Sequence, residues 1–225
     1  MNASQQKESV AQGGDTRERL VQAGLVLFGR HGFDGVTTRA LAEAAGVNLA
    51  AIPYHFGGKE GVYAAVAEHV VSTCGTEMLD VIAEVLPQGE CPSTPLEATR
   101  RLKTLITGVI RVITRSPTRT LYGSFIVREQ LQPGAAFEML YERMFCHVHG
   151  ATAELIGIIR GTPADAPHTI MQAHACLGMA LSFGANREVI LRRLGMKNGY
   201  TPEVIEQICE TVASMTEQAV GGKTA

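Results

Sequence analysis

The stretch that decides the fold is TTRALAEAAGVNLAAIPYHFGGKEGVY, residues 37–63. Thr37 or Thr38 is a good N-cap for a helix over RALAEAAG, because a threonine hydroxyl accepts a hydrogen bond from a free backbone N–H. Gly46 can end that helix in the left-handed conformation that glycine tolerates, and the glycine pair at 57–58 breaks the chain again. The stretch therefore predicts two short helices joined by the turn AAGVN, with another helix after the second break.

The segment IPYHFGGKE, residues 52–60, places a proline among bulky side chains. Pro53 lacks a backbone donor, so it suits neither the interior of a buried helix nor a central strand. It is tolerated close to a helix start, and Asn48 is placed to cap a short helix through LAAIPYHF. The segment is therefore predicted to be a short helix that presents side chains outward and then turns.

The rest of the chain also has helical periodicity. Apolar residues recur every three or four positions from Thr16, which predicts a helix that Gly32 ends. Glu60 suits the first turn of a long fourth helix that reaches about Leu86. Further apolar-periodic blocks follow at residues 96–115, 118–131, 135–160, 164–185, 187–196 and 202–219. No block alternates as a strand does, so the predicted fold class is all-α, with roughly nine or ten helices.

These elements predict three parts of the chain. Residues 1–14 are polar without apolar periodicity, and we expect a disordered N-terminal arm there. Residues 15–62 are predicted to form a three-helix domain, and residues 63–225 a larger helical domain.

The totals exclude several classes of protein. The chain has 225 residues and a net charge of −2, so any nucleic-acid binding depends on a local surface rather than on overall charge. Its five cysteines are scattered without a Cys-x-x-Cys pair, which is typical of reduced intracellular thiols. The longest uncharged run, residues 166–186, is too polar for a membrane span, and the polar N-terminus does not resemble a signal peptide. We therefore expect a cytoplasmic protein that has no membrane partner.

The short N-terminal helices have the spacing of a helix-turn-helix. Ala42 is small where two helices must cross closely, and Ile52 lies one helical turn from Phe56 on the inner face. The residues left nearer the outer face are Leu49, Ala50, Pro53, Tyr54 and His55. In a helix-turn-helix the second helix enters the major groove of DNA, so this outer face is the predicted contact surface.

Three side chains in this region suit DNA. Tyr54 and His55 can donate hydrogen bonds to phosphates or base edges. Lys59 lies beside a helix N-terminus, where its charge and the free backbone N–H groups together favour phosphate. The alternative is that Tyr-His-Phe is only aromatic core packing, which fits Phe56 best because adjacent helical positions cannot all face one core.

Residues 37–63 resemble the DNA-binding motif of TetR-family transcriptional regulators in their threonine, Leu-Ala, Ala-Gly-Val, Tyr-His-Phe and lysine. The resemblance implies a dimeric all-α repressor that binds a palindromic double-stranded DNA operator. It implies that residues 63–225 form the ligand-binding and dimerisation domain, in which a small-molecule effector releases the DNA. Carried over by position, it implies as DNA-binding residues Thr38, Arg39, Asn48, Leu49, Ala50, Tyr54, His55 and Lys59.

Two of these positions have side chains that cannot hydrogen-bond to base edges. Leu49 and Ala50 are apolar where hydrogen bonding to bases would use arginine, asparagine or glutamine. We therefore expect contact with thymine methyl groups or readout through DNA shape.

The stretch FIVREQLQPGAAFEMLYERMF, residues 125–145, is similar to a CecR-like subgroup of TetR regulators associated with drug sensitivity. This similarity suggests control of an efflux or transport gene. Arg128 and Glu129 interrupt a largely apolar helix, and two interpretations stay open: they orient a ligand in a pocket, or they face solvent. Nearby aromatic and methionine side chains either line an apolar cavity or are plain core. The candidate ligand-binding residues are Phe125, Arg128, Glu129, Phe137, Met144, His147, Met171 and His174.

Histidines and cysteines in the C-terminal half raise the alternative of a metal site. Cys146 and His149 are three residues apart and can share a helix face, but distant residues would have to complete the ligand set. Core or interface roles are favoured for these histidines, and we predict neither a metal nor a cofactor.

The helix over residues 166–186 and the final helix over residues 204–220 are the predicted dimer interface. The first is uncharged and rich in small residues, which allow close packing, and two copies of the pair would make a four-helix bundle.

An enzyme is the alternative from another class. The chain contains no Glu-x-x-His, Gly-x-Ser-x-Gly or His-Glu-x-x-His, and its terminal GGKTA has Glu217 where a phosphate loop needs its first glycine. We therefore expect no enzymatic activity. An adaptor that has kept the fold and lost DNA binding is disfavoured, because the predicted DNA-contacting residues occur together.

Overall fold

The computed structural model describes residues 3–87, 90–115 and 119–221, with side chains from Thr16 onward except at 119 and 120. Every regular element in these ranges is helical, which confirms the all-α prediction. The α-helices are α1 (Ala3–His31), α2 (Thr38–Ala45), α3 (Ala51–Phe56), α4 (Lys59–Val70), α5 (Thr76–Val85), α6 (Pro95–Thr114), α7 (Arg119–Leu131), α8 (Phe137–Leu140), α9 (Cys146–Arg160), α10 (Pro167–Ala185), α11 (Arg187–Arg193) and α12 (Pro202–Val220). Two π-helical segments, Val71–Gly75 and Tyr141–Phe145, continue α4 into α5 and α8 into α9.

The start of α1 lies within the expected N-terminal arm. The helical backbone begins at Ala3, within the region predicted as a disordered arm. Residues 3–12 contain glutamine, lysine, glutamate and alanine, all good helix formers. Extending an existing helix avoids the cost of nucleation, so these residues continue a helix that the following apolar positions establish.

Contacts divide the chain into two compact units. The N-terminal unit comprises Met1–Ser72 and Ser124–Leu140, and the C-terminal unit comprises Thr73–Gly123 and Tyr141–Ala225. The predicted boundary at residue 62 differs from this division, because the N-terminal unit also contains all of α4, most of α7 and α8. A linear reading of the sequence does not reveal that residues 124–140 return to the first unit.

The core of the N-terminal unit forms where α1 packs on α4. Phe28 of α1 and Val62 and Val66 of α4 have no exposed surface. Gly24 permits this close approach, since a Cβ atom there would lie 2.8 Å from Cγ2 of Val66. The Phe28 ring also packs edge-on against Tyr63, with centroids 4.8 Å apart. The amphipathic period of α1 therefore fixes the platform on which the shorter helices rest.

The C-terminal unit is built around α6. Thr94 caps this helix by accepting a hydrogen bond from the Glu97 N–H (3.2 Å), and Pro95 occupies its first turn. The buried side of α6 consists of Ala98, Leu102, Leu105, Ile106, Val109, Ile110 and Val112. It packs against α9, α10 and α12. None of the helices in the described ranges is both long and apolar enough to cross a membrane.

The chain passes between the two units at three places. The first pass, after Ser72, lies in the π-helical segment Val71–Gly75, and the third, after Leu140, lies at the start of Tyr141–Phe145. The second follows Gly123, which has open space around its Cα. π-helical turns within α-helices are often found at functional sites.

Candidate DNA-binding site

Helix α2 begins and ends as its sequence predicts. The Thr37 hydroxyl oxygen accepts a hydrogen bond from the Ala40 N–H at 3.1 Å, which identifies Thr37 as the N-cap. Gly46 ends the helix at φ 61°, and its N–H donates to the Glu43 carbonyl at 3.0 Å. The left-handed glycine turns the chain sharply, so α3 starts only a few residues after α2.

The entry to α3 differs from the prediction in one detail. The Asn48 side-chain oxygen accepts a hydrogen bond from the Ala50 N–H at 2.9 Å, but the first helical residue is Ala51. Asn48 therefore stabilises the turn before the helix rather than capping it directly. Pro53 is the third residue of α3, where its missing N–H leaves no intrahelical bond unmade.

The two faces of α3 have opposite characters. Ile52 is fully buried, whereas Tyr54 is 83% exposed. His55 and Phe56 are half-buried, and the Arg17 guanidinium lies 5.3 Å from the Phe56 ring centroid, a cation–π contact. The core-packing interpretation is therefore wrong for Tyr54, and α3 presents this phenol to solvent.

The predicted contact residues are brought together only in part. Asn48, Ala50, Tyr54 and His55 line one open depression beside the turn. Leu49 is 49% exposed, and Arg39 is also exposed, while Thr38 is half-buried.

Arg19 of α1 is a residue of this depression that sequence reasoning missed. Its Nη2 donates to the Gly46 carbonyl oxygen at 2.9 Å, which ties α1 to the turn between α2 and α3. A Cβ atom at Gly46 would lie 2.6 Å from that nitrogen, so a larger residue there would displace the Arg19 guanidinium, and the φ of 61° favours glycine in any case. No local pattern links residues 27 positions apart, and the contact emerges only on folding.

Lys59 has a partner within the N-terminal unit. Its Nζ donates to the Phe33 carbonyl oxygen at 3.1 Å and lies 4.0 Å from the Phe33 ring centroid. An ammonium group has three donors, so two N–H groups are left by this bond for a phosphate. Lys59 also holds the α1–α2 loop against the start of α4, a structural role that the sequence did not predict.

Four of the predicted ligand-binding residues lie in the N-terminal unit, and three of them contact residues of α1 or α4. Phe125 is buried, with its ring centroid 5.3 Å from that of Tyr63. Glu129 is only 2% exposed and accepts a hydrogen bond from the Tyr63 hydroxyl. Arg128 donates to the Arg30 carbonyl oxygen at 2.9 Å. The solvent-facing alternative is therefore wrong for Glu129, and the polar groups of both residues are engaged by this unit.

The other ligand candidates do not share one enclosed cavity. Phe137 belongs to the N-terminal unit and Met144 is buried in the C-terminal unit. His147, Met171 and His174 are exposed, Met171 by 62%. Neither Met171 nor His174 belongs to the buried stripe of α10, which is why the structure leaves them at the surface.

Two histidines of the C-terminal unit, His149 and His174, lie against each other. The rings of His149 and His174 stack with centroids 5.4 Å apart. Burial, and secondarily His174, lowers the pKa of His149 below its ordinary value. Within the described ranges, no three histidine, cysteine or acidic side chains are grouped closely enough to hold a metal ion.

Two family models match the chain. The model described as bacterial regulatory proteins, tetR family, matches residues 20–66. The model described as the C-terminal domain of the HTH-type transcriptional dual regulator CecR matches residues 98–223, more than half of the chain. The HTH-type transcriptional dual regulator CecR of Shigella flexneri is 33% identical over 201 residues, which cover 89% of each chain.

Solved structures are similar in fold. AibR in complex with isovaleryl coenzyme A and operator DNA superposes with a TM-score of 0.61 at 16% identity, over 89% of this chain and 97% of AibR. AmtR of Mycobacterium smegmatis has a TM-score of 0.61 at 19% identity, over 93% of this chain and 87% of AmtR.

The matches place a DNA-binding motif on the helix-turn-helix described above and a regulator's C-terminal domain on the bundle around α6. They exclude the enzyme alternative, because the relatives are transcriptional regulators. The chain belongs to the TetR family of DNA-binding transcriptional regulators, and its C-terminal domain is of the CecR type.

Proposed function

We propose that this regulator is a cytoplasmic homodimeric repressor that binds a palindromic operator and releases it when a small apolar or amphipathic molecule binds. The main support for a DNA-binding surface is that α3 buries Ile52 and leaves Tyr54 83% exposed. The exposed Asn48, Leu49 and Ala50 adjoin it. Because a phenol and apolar side chains dominate this surface, readout uses thymine methyl groups and DNA shape more than dense base hydrogen bonding.

The test is an operator selection from random duplexes with purified protein at two salt concentrations, read by sequencing. We expect a palindrome whose half-sites lie one helical turn apart, roughly 34–36 Å, because a dimer presents two α3 helices. Binding that depends little on salt and shows no sequence preference would refute the proposal and favour the adaptor alternative. Genes beside genomic copies of the site would test control of efflux or transport.

Arg39→Ala tests the phosphate contacts of this surface. Arg39 is exposed near the start of α2. Its loss is expected to weaken binding to all duplexes alike and to reduce the salt slope, the dependence of log affinity on log salt concentration, by about one. Arg192→Ala removes another exposed arginine, from the C-terminal unit, and serves as the control. Equal slopes for the two variants would remove Arg39 from the proposed interface.

The proposed dimer interface is the outer face of α10 together with α12. Ile170, Met171 and Leu181 of α10 are 47%, 62% and 38% exposed, and Met215 of α12 is 51% exposed. This apolar stripe, which the core of the C-terminal unit leaves uncovered, suits an isologous contact with a second chain.

Ile170→Glu is expected to convert the dimer to a monomer in sedimentation at micromolar concentration, because two carboxylates would meet across a two-fold interface. Val189→Glu is the matched control, since Val189 is 69% exposed on α11. A wild-type protein that sediments as a monomer, or an Ile170→Glu protein that stays dimeric, would count against this interface.

Release from the operator is proposed to occur by population shift. An effector that prefers one packing of the C-terminal unit favours one state of the connections after Ser72, Gly123 and Leu140. A small change in the spacing of the two α3 helices suffices, because both must match their half-sites at once. The effector is proposed to bind within the C-terminal unit, which contains most of the CecR-type domain.

A further inference from the structure

The N-terminal unit contains a segment that lies far from the helix-turn-helix in sequence. Residues Ser124–Leu140 join it, although α7 itself starts in the C-terminal unit. Two adjacent residues of α7, Arg128 and Glu129, make hydrogen bonds to α1 and α4. They were candidates for ligand binding, and their partners indicate a different role.

Glu129 is held in the interior of the N-terminal unit. Its carboxylate accepts hydrogen bonds from the Tyr63 hydroxyl and from the Gly134 N–H, the latter at 3.2 Å. Burial, and then the hydrogen bond to Glu129, raise the pKa of Tyr63 well above its ordinary value, so the phenol stays a donor. A buried carboxylate without partners is costly, and Tyr63 of α4 therefore fixes where this turn of α7 lies.

Arg128 closes the end of α1. Its Nη2 donates to the Arg30 carbonyl oxygen at 2.9 Å, and its Nε donates to the Gly29 carbonyl oxygen at 3.4 Å. The last carbonyls of a helix lack intrahelical partners and carry partial negative charge, so a guanidinium there is doubly favourable. A Cβ atom at Gly32, where φ is 73°, would lie 3.0 Å from Nη1 of Arg128, so the chain reversal after α1 leaves space for this side chain.

Helices α1 and α4 in turn determine where α3 lies. Arg19 of α1 donates to the Gly46 carbonyl in the turn before α3. Only Gly57 and Gly58 separate α3 from α4, and Lys59 at the start of α4 binds the Phe33 carbonyl after α1. A shift between α1 and α4 would therefore move both ends of the recognition helix.

We propose that Arg128 and Glu129 are positioning residues for operator binding: from α7 they hold α1 and α4 in the arrangement that presents α3 to DNA. The inference rests on the proposed function and extends it by making residues 124–140 part of the DNA-binding machinery. It also implies that a shift of α7 would alter operator affinity through these polar contacts.

The test compares Tyr63→Phe, Glu129→Gln, Glu129→Leu and Arg128→Gln with wild type on the duplex obtained by operator selection. Affinity, corrected for the folded fraction at the assay temperature, is expected to fall about tenfold for Tyr63→Phe, Glu129→Leu and Arg128→Gln. Glu129→Gln keeps an acceptor for the Tyr63 hydroxyl and loses only the acceptor for the Gly134 N–H, which lies within the same segment, so it is expected to retain most of the affinity. The salt slope should stay at the wild-type value, because neither residue is proposed to touch phosphate.

Matched controls exist in the C-terminal unit. Tyr200→Phe removes a hydroxyl that donates to the Phe183 carbonyl at 2.8 Å. Arg160→Gln removes a guanidinium that donates to the Val220 carbonyl at 3.2 Å, near the end of α12. These variants are expected to lose stability without a change in corrected affinity. If all the variants, in both units, lost stability alone, the roles of Arg128 and Glu129 would be merely structural and the proposal would be overturned.

Two further outcomes separate the inference from the proposed function. A salt slope reduced by about one in Arg128→Gln would identify a direct phosphate contact and overturn the positioning role. Hydrogen exchange on the DNA-free protein tests positioning without an operator: Tyr63→Phe should accelerate exchange of the α3 amides relative to those of α9. Unchanged α3 exchange would overturn the inference, whereas a wild-type protein that selects no operator would overturn only the proposed function.

Discussion

Replacing Gly61 with alanine is expected to lower the free energy of unfolding of the N-terminal unit by about 1–3 kcal/mol or more. An alanine Cβ at this position would lie 1.8 Å from the Phe56 carbonyl oxygen and 3.1 Å from the Phe56 Cβ. Gly61 is not among the glycines with positive φ, so space rather than backbone conformation requires glycine here. The obstacle is backbone, and the turn between α3 and α4 would have to open to relieve it.

Because Phe56 is the last residue of α3, this change should also weaken operator binding. Circular dichroism during heating measures the stability, and a loss of 1 kcal/mol corresponds to roughly 4–8 °C in a domain of 60–100 residues. Gly150→Ala is the matched control, since Gly150 also lies within a helix and a Cβ there meets nothing within 4 Å. It should stabilise the protein by about 0.4–1 kcal/mol. A Gly61→Ala protein as stable as Gly150→Ala would show that the turn accommodates the methyl group.

Gly61 illustrates what the sequence reveals and what it does not. Local signals predicted α2 closely, because an N-capping threonine and a left-handed glycine act within a few residues of the helix that they bound. The requirement at Gly61 depends on a carbonyl across a turn, and a glycine inside a helical pattern has no distinctive signal of that kind. The same limit applies to Arg19, whose partner Gly46 lies 27 residues away.

The candidate site was predictable as far as its chemistry is local. The family resemblance and helical spacing identified Tyr54 as outward-facing and Ile52 as buried, and both are so. The contacts of Arg128 and Glu129 were missed because charge in an apolar helix suggests either a ligand or solvent. The third possibility, partners supplied by α1 and α4, depends on which helices pack together, and that arrangement is set by long-range contacts.

The opposite faces of α3 provide the second large effect. Ile52→Ala is expected to destabilise the N-terminal unit by about 2–5 kcal/mol, since it empties a fully buried site beneath a helix of only six residues. Such a helix is too short to persist without packing, so its recognition surface should be lost with its anchor. The midpoint temperature of thermal unfolding and the affinity for the operator are both expected to fall.

Tyr54→Ala, two residues along the same helix, is expected to leave stability nearly unchanged and to weaken operator binding directly. Tyr54 is 83% exposed, so its removal should change stability by no more than about 0.5 kcal/mol. If α3 enters the major groove, affinity for the selected operator should nevertheless fall roughly tenfold to a hundredfold. Unaltered affinity in Tyr54→Ala would place the interface elsewhere on the unit. Unaltered stability in Ile52→Ala would mean that α3 is held by its flanking glycine turns rather than by its core contact. The pair of variants thus separates the residue that holds the recognition helix from the residue that reads DNA.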